Sequence, residues 1–269
     1  MTDVRALAQG ASIEVLPGTA AQVPDFRKIL PQGTRIFIAH LDTGTPQDIL
    51  DTTRRILDEG FVAVPHVVAR MMPDAASLGW LVGQYRDLGV TEAMVLAGDA
   101  ETPAGPFDSA MSLLQTGLFN GFGRLYVVGH PEGSRKLDPD GGTTAAEAAL
   151  RDKQDWAKGK GIAMEIVTQF AFDADLILNW RDTLRDRGID LPVRLGLAGP
   201  SPCDLLLEQA EACGVGPSLR HLRDMPDRNY DPTPLVAEIA AQGGNRFTEL
   251  HLFPFGGIED SARWITDRS

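Results

Sequence analysis

The stretch ASIEVLPGTAAQ, residues 11–22, decides between two architectures. SIEVL reads as a short apolar strand, but the turn that follows it has no GxGxxG, the fingerprint that opens a doubly wound nucleotide-binding sheet. The strand also holds a carboxylate, Glu14, between Ile13 and Val15. An ionised carboxylate in an apolar strand is costly unless it has a partner or a task, so Glu14 marks a functional position.

Outward from this strand, seven similar runs recur: RIFIAH near 37, VAVPH near 64, AMVLAGD near 94, LYVVGH near 127, MEIVTQF near 166, VRLGL near 195 and ELHLF near 251. Most lack polar alternation, as strands covered on both faces do. Helix-start signals separate them: Thr144 with Glu147 as a capping box, Asp173 before ADLILNW, Ser201 before Pro202, and Asp231 before Pro232. Strand centres lie about 23 to 39 residues apart, and the last gap of about 56 has room for two helices. Eight such repeats predict a (β/α)8 TIM barrel formed by a single domain over 1–269. No phosphate-loop GxxxxGK[ST] occurs, and no linker or low-complexity tract divides the chain.

The 269 residues are 43% hydrophobic, which excludes disorder, and carry 25 basic against 37 acidic side chains for a net charge of -12. That charge repels phosphate backbones and anionic lipid, so neither nucleic acid nor a membrane is expected as a partner. MTDVRALAQG lacks a signal-peptide core, and the expected location is cytoplasmic. Cys203 and Cys213 flank one helix without metal-type spacing and read as reduced thiols.

In a barrel, side chains at the carboxyl ends of the strands face the mouth where active sites form. Glu14, His40, His66, Asp99, His130 and Gln169 fall on or just after six successive strands, and they include three of the five histidines. A carboxylic acid with a raised pKa in such a mouth suits proton donation. A metal set of His40, His66, His130 and Asp99 is disfavoured because no local HxH, HExxH or paired carboxylate supports it, so no metal is expected. No strand supplies a Schiff-base lysine. The Gly256–Gly257 pair reads as either a phosphate cradle or a turn.

The order of Glu14 in its apolar strand, VPH at 64–66, LAGD at 96–99, HPE at 130–132 and VTQFAFD at 167–173 resembles the methylenetetrahydrofolate reductase family, over roughly residues 12 to 255. The resemblance implies a (β/α)8 barrel that holds FAD and interconverts 5,10-methylenetetrahydrofolate and 5-methyltetrahydrofolate by flavin hydride transfer, with NADH or NADPH as donor. It implies Glu14 as general acid, Asp99 beside flavin and pterin, and Gln169 with Phe170 on the tetrahydrofolate derivative. Flavin contacts would come from His40, His66, Leu96, Ala97, Gly98, Asp99, His130 and Lys153. A flavin-free methyltetrahydrofolate methyltransferase or demethylation enzyme, and a non-catalytic folate-binding subunit needing a partner, are the alternatives. A homo-oligomer or partner subunit is compatible with each.

Overall fold

The structure, a computed structural model, describes residues 2–225, 228–243 and 246–268. Eight parallel strands close into a barrel: β1 (Ser12–Val15), β2 (Arg35–Ile38), β3 (Val62–Val68), β4 (Glu92–Leu96), β5 (Arg124–Gly129), β6 (Ala163–Thr168), β7 (Val193–Ala198) and β8 (Leu250–Phe253). Each pairs with its sequence neighbours, and β1 closes the ring on β8 through Ser12↔His251 and Ile13↔Leu252. The expected TIM barrel is therefore the observed fold, with a strand at each of the eight predicted runs.

Alternation along the strands divides the interior into two regions. Outward residues such as Ile13, Ile36, Ala63, Val95, Leu125, Ile166 and Leu195 are buried against the helices in the main core. Inward residues Phe37, Val64, Met94, Tyr126 and Val167 form a separate cluster inside the barrel. Below that cluster, at the amino ends of the strands, the interior is ionic rather than apolar. Arg35 pairs with Glu92 at 2.9 Å, Arg124 with Glu165 at 2.8 Å, and Arg194 with Glu249 at 2.5 Å and Glu165 at 3.5 Å. The Tyr126 hydroxyl donates to Glu92 at 2.7 Å, and the Arg194 guanidinium lies 5.8 Å from the Tyr126 ring centroid. These pairs fill the floor.

Gly196, inward on β7, has no room for a side chain, because a Cβ there would collide with the Thr168 carbonyl and the Phe253 ring. Its amide donates to Thr168 Oγ1 at 2.8 Å, and the small residue leaves space above Arg194.

The β7–β8 connection makes an excursion: helix Cys203–Ala212, the turns Pro217–Leu219 and Arg220–Arg223, and helix Thr233–Gly243, with a two-residue ribbon pairing Ser201–Pro202 to Asn229–Tyr230. It has its own apolar cluster, in which Phe170, Phe172, Cys203, Leu206, Leu222 and Tyr230 pack together. Glu132, in the loop after β5, accepts from the Gly216 amide at 2.8 Å, the Ser218 amide at 3.3 Å and the Ser218 hydroxyl. Ser218 Oγ in turn accepts from the Phe172 amide at 2.9 Å. The excursion is thus pinned at the carboxyl end of the barrel.

Two helix starts differ from expectation. Helix Thr144–Lys160 is not held by a Thr144–Glu147 box; Asp138 accepts from the Ala145 and Ala146 amides at 2.7 and 3.0 Å, while Glu147 pairs with Arg187. Ser201 caps no helix, since Pro202 precedes the first residue, Cys203, and Ser201 Oγ donates to Gly199 O at 3.0 Å. Asp173 does cap its helix, accepting from Leu176 N at 3.1 Å, and Asp231 accepts from Thr233 N at 2.8 Å. Both cysteines are free thiols. Among the described residues, no helix is long and apolar enough to cross a membrane.

Candidate active site

Glu14 is the third residue of β1, level with Phe37 on β2, and alternation turns its side chain inward. Its Oε2 lies 3.5 Å from His66 Nε2 on β3 and 3.8 Å from His251 Nε2 on β8. Although 22% of the Glu14 side chain still reaches solvent, burial raises its carboxyl pKa, and the His66 charge pulls only weakly the other way. Burial lowers His66 to about 4 and His251 to about 3, with the Arg194 guanidinium adding to the depression at His251. Both imidazoles are therefore neutral at physiological pH.

The tautomer of His251 follows from its neighbours. Ser12 Oγ donates to Leu250 O at 3.2 Å and lies 2.9 Å from His251 Nδ1. Arg194 Nη1, which can only donate, lies 3.3 Å from the same hydroxyl. With the serine proton directed at Leu250, His251 must donate through Nδ1, which leaves the Nε2 lone pair facing Glu14. A line of buried groups therefore runs from the ionic floor through Arg194, Ser12 and His251 to Glu14. Phe37 packs edge-on against His66 and His251, with centroids 6.4 and 4.6 Å apart, and fixes both rings.

The other groups named from the sequence have different partners. His130 follows β5 and is lowered to about 4 by burial, with the Lys153 charge adding and Asp99 opposing. Lys153, on helix Thr144–Lys160, is lowered to about 8 by burial, against Asp152. The Asp99 side chain is 91% exposed and pairs with Lys136 at 2.5 Å, so it faces solvent rather than Glu14. Gln169 turns its amide oxygen back onto the Phe170 amide at 3.1 Å, and Phe170 belongs to the cluster of the excursion. In LAGD, Leu96 borders the inner cluster, Ala97 O accepts from Arg70 N at 2.9 Å, and Gly98 has a φ of 90° where a Cβ would strike Val68. His40 lines a cavity with Met71, Met72 and Trp80 and lies close enough to His66 to add to the depression of its pKa. Gly256 packs against Pro200 O and Ser201, and Gly257, at a φ of 125°, precedes helix Ile258–Thr266.

Ser12, Arg194 and His251 were not among the residues the sequence singled out. Their signal is the two-residue alternation S-x-E, R-x-G and E-x-H in strands read as uniformly apolar.

The neutral histidines carry a pH consequence. A histidine whose folded pKa is depressed stabilises the fold above its ordinary value of 6.5, and that stability is lost as pH falls toward the folded value. His66, His130 and His251 all act in this sense, while the raised carboxyl of Glu14 opposes them. Between pH 6.5 and 4 the unfolding free energy is expected to fall by roughly 1.4 kcal/mol per pH unit for each histidine, partly offset by Glu14. Urea denaturation at pH 7 and pH 5 checks this, and equal midpoints would refute it.

Barrel and site define a (β/α)8 protein with a glutamate and two buried histidines drawn together inside its barrel. No family model matches the sequence. Among solved structures, the chain is similar to an oxaloacetate acetylhydrolase, at 12% identity with a TM-score of 0.51, covering 95% of this chain and 80% of that one. It is also similar to a protein described as a phosphonomutase from Burkholderia cenocepacia J2315, at 10% identity with a TM-score of 0.49, covering 93% and 89%. At these identities the likeness defines the fold. With no family model matching and the acetylhydrolase as the structural match, the expected membership of the methylenetetrahydrofolate reductase family is overturned, and with it FAD, NADH or NADPH, the tetrahydrofolate substrate and flavin hydride transfer. The motifs that carried that resemblance have local structural duties instead: Gly98 makes a tight turn, Asp173 caps a helix and Glu132 pins the excursion. Among the described residues, no group of three or more His, Cys, Asp or Glu is arranged to hold a metal ion.

Proposed function

We propose that the chain is an enzyme that moves a proton to or from carbon in a small carbonyl compound, with Glu14 as the acid–base group. The observation that carries this reading is the Glu14 carboxyl, its pKa raised by burial, held between two neutral imidazoles at 3.5 and 3.8 Å inside the barrel. A carboxyl tuned upward in a partly dry site holds its proton to a higher pH than an ordinary glutamate does.

In the forward step the ionised carboxylate takes a proton from the carbon beside the carbonyl. The C–H electron pair moves into the C–C bond, and the carbonyl π pair moves onto oxygen, giving an enolate. In reverse, protonated Glu14 returns the proton to carbon. The neutral Nε2 of His251 accepts a hydrogen bond from the protonated carboxyl once the substrate tightens the site, and the Ser12–Arg194 support keeps that ring from turning over.

For the substrate we take a small 2-oxo acid. A solved enzyme of the same barrel architecture is named for its action on oxaloacetate.

The test is hydrogen exchange in D2O. Pyruvate, 2-oxobutyrate, oxaloacetate and 2-oxoglutarate are incubated with the protein, and the protons on the carbon next to the carbonyl are followed by NMR. Exchange of at least one acid above its buffer rate is the expected result. Buffer-level rates across the whole panel would overturn the proposal.

A further inference from the structure

We infer that the cavity between helices Pro46–Asp58 and Ala75–Asp87, adjoining the Glu14 centre on its His66 side, is a second binding site for a flat aromatic molecule carrying a hydroxyl group. The cavity holds about 560 Å³, within the range of small-molecule sites. Its walls include Met71, Met72, Pro73, Trp80 and Leu81, with His40 and Ser77 as polar side chains. His40 is only 6% exposed, yet neither ring nitrogen has a hydrogen-bond partner. The Gly44 backbone approaches the ring without reaching hydrogen-bonding geometry. A buried polar group left unsatisfied costs roughly 1–3 kcal/mol, and such exceptions call for an explanation.

A ligand that supplies the missing partner is that explanation. Burial keeps the imidazole neutral by lowering its pKa, against smaller upward pulls from the Gly44 backbone and Asp48. A neutral ring offers one donor and one acceptor, and which nitrogen holds the proton is free when neither is engaged. A hydroxyl donates to the bare nitrogen or accepts from the protonated one.

The aromatic part follows from the walls. Trp80 is 49% exposed, a large apolar ring left open at the cavity on a helix whose Leu78, Leu81 and Val82 are buried. Methionine sulfur and an indole face both favour a planar ring over a branched aliphatic chain.

The probes are 4-ethylphenol and ethylbenzene, which differ only by the hydroxyl. Binding is followed by Trp80 fluorescence, with the Trp80→Phe variant to assign the signal, and by NMR of 15N-histidine-labelled protein. The phenol is expected to bind about tenfold tighter than ethylbenzene and to shift the His40 ring resonances while those of His66 and His251 stay in place. His40→Leu is expected to keep or raise the melting temperature, since it removes an unsatisfied group, and to reduce phenol affinity to that of ethylbenzene. Equal affinity of the two probes for the unaltered protein, an absence of binding, or shifts confined to His66 and His251 would each overturn the inference. Glu14→Gln leaves the His40 signals responsive, which keeps this site distinguishable from the catalytic one.

Discussion

Arg194→Leu is expected to lower the unfolding free energy by about 3–5 kcal/mol, the cost of removing one member of a buried ionic network. Arg194 is 1% exposed and holds two carboxylates, Glu249 at 2.5 Å and Glu165 at 3.5 Å. Its guanidinium also stands over Tyr126 and supports Ser12. Leucine fills much of the volume but leaves two carboxylates in the floor with less positive charge than they need. Glu165 keeps Arg124 and the Thr248 hydroxyl, whereas Glu249 loses its direct ion-pair partner and keeps only the more distant charge of Arg35. Urea denaturation measures the loss, and a change below about 1 kcal/mol would mean that the floor is not an energetic unit. The double variant Arg194→Leu with Glu249→Gln is expected to recover part of it, because it removes the orphaned charge as well.

Glu14→Gln is expected to lower the rate of carbon-proton exchange by about 10²–10⁴-fold while leaving the fold intact. The amide keeps the shape of the side chain and removes its only exchangeable acid. Stability should hold or rise, because the variant takes a costly carboxyl out of the barrel. Exchange at the unaltered rate in a folded variant would remove Glu14 from the chemistry. A variant that unfolds would instead make the carboxyl a structural partner of His66 and His251. Glu14→Asp separates reach from acidity: it keeps a proton but withdraws it by one methylene, so a partial loss is expected.

The fold was legible because each strand is a short apolar run and each gap is long enough for a helix. What escaped was the direction each strand faces. Reading polar residues only at strand ends finds Glu14 and His66 but passes over Ser12, Arg194 and His251, which lie within strands and turn inward by parity. The same limit explains the family resemblance. A parallel barrel repeatedly asks for a polar residue or glycine just past a strand, as at Gly98, Asp173 and Glu132, so a series of short motifs in order reflects the architecture more than one chemistry. Helix starts were legible only where the cap is local: Asp173 caps its own helix, but the cap of Thr144–Lys160 comes from Asp138, beyond the reach of a four-residue pattern.

The ionic floor also governs traffic. With Arg35, Glu92, Arg124, Glu165, Arg194 and Glu249 stopping the amino end, the barrel is a well rather than a tunnel. Anything made beside Glu14 departs through the entrance its precursor used, and a reaction that yields two fragments must release the outer one before the inner one can leave.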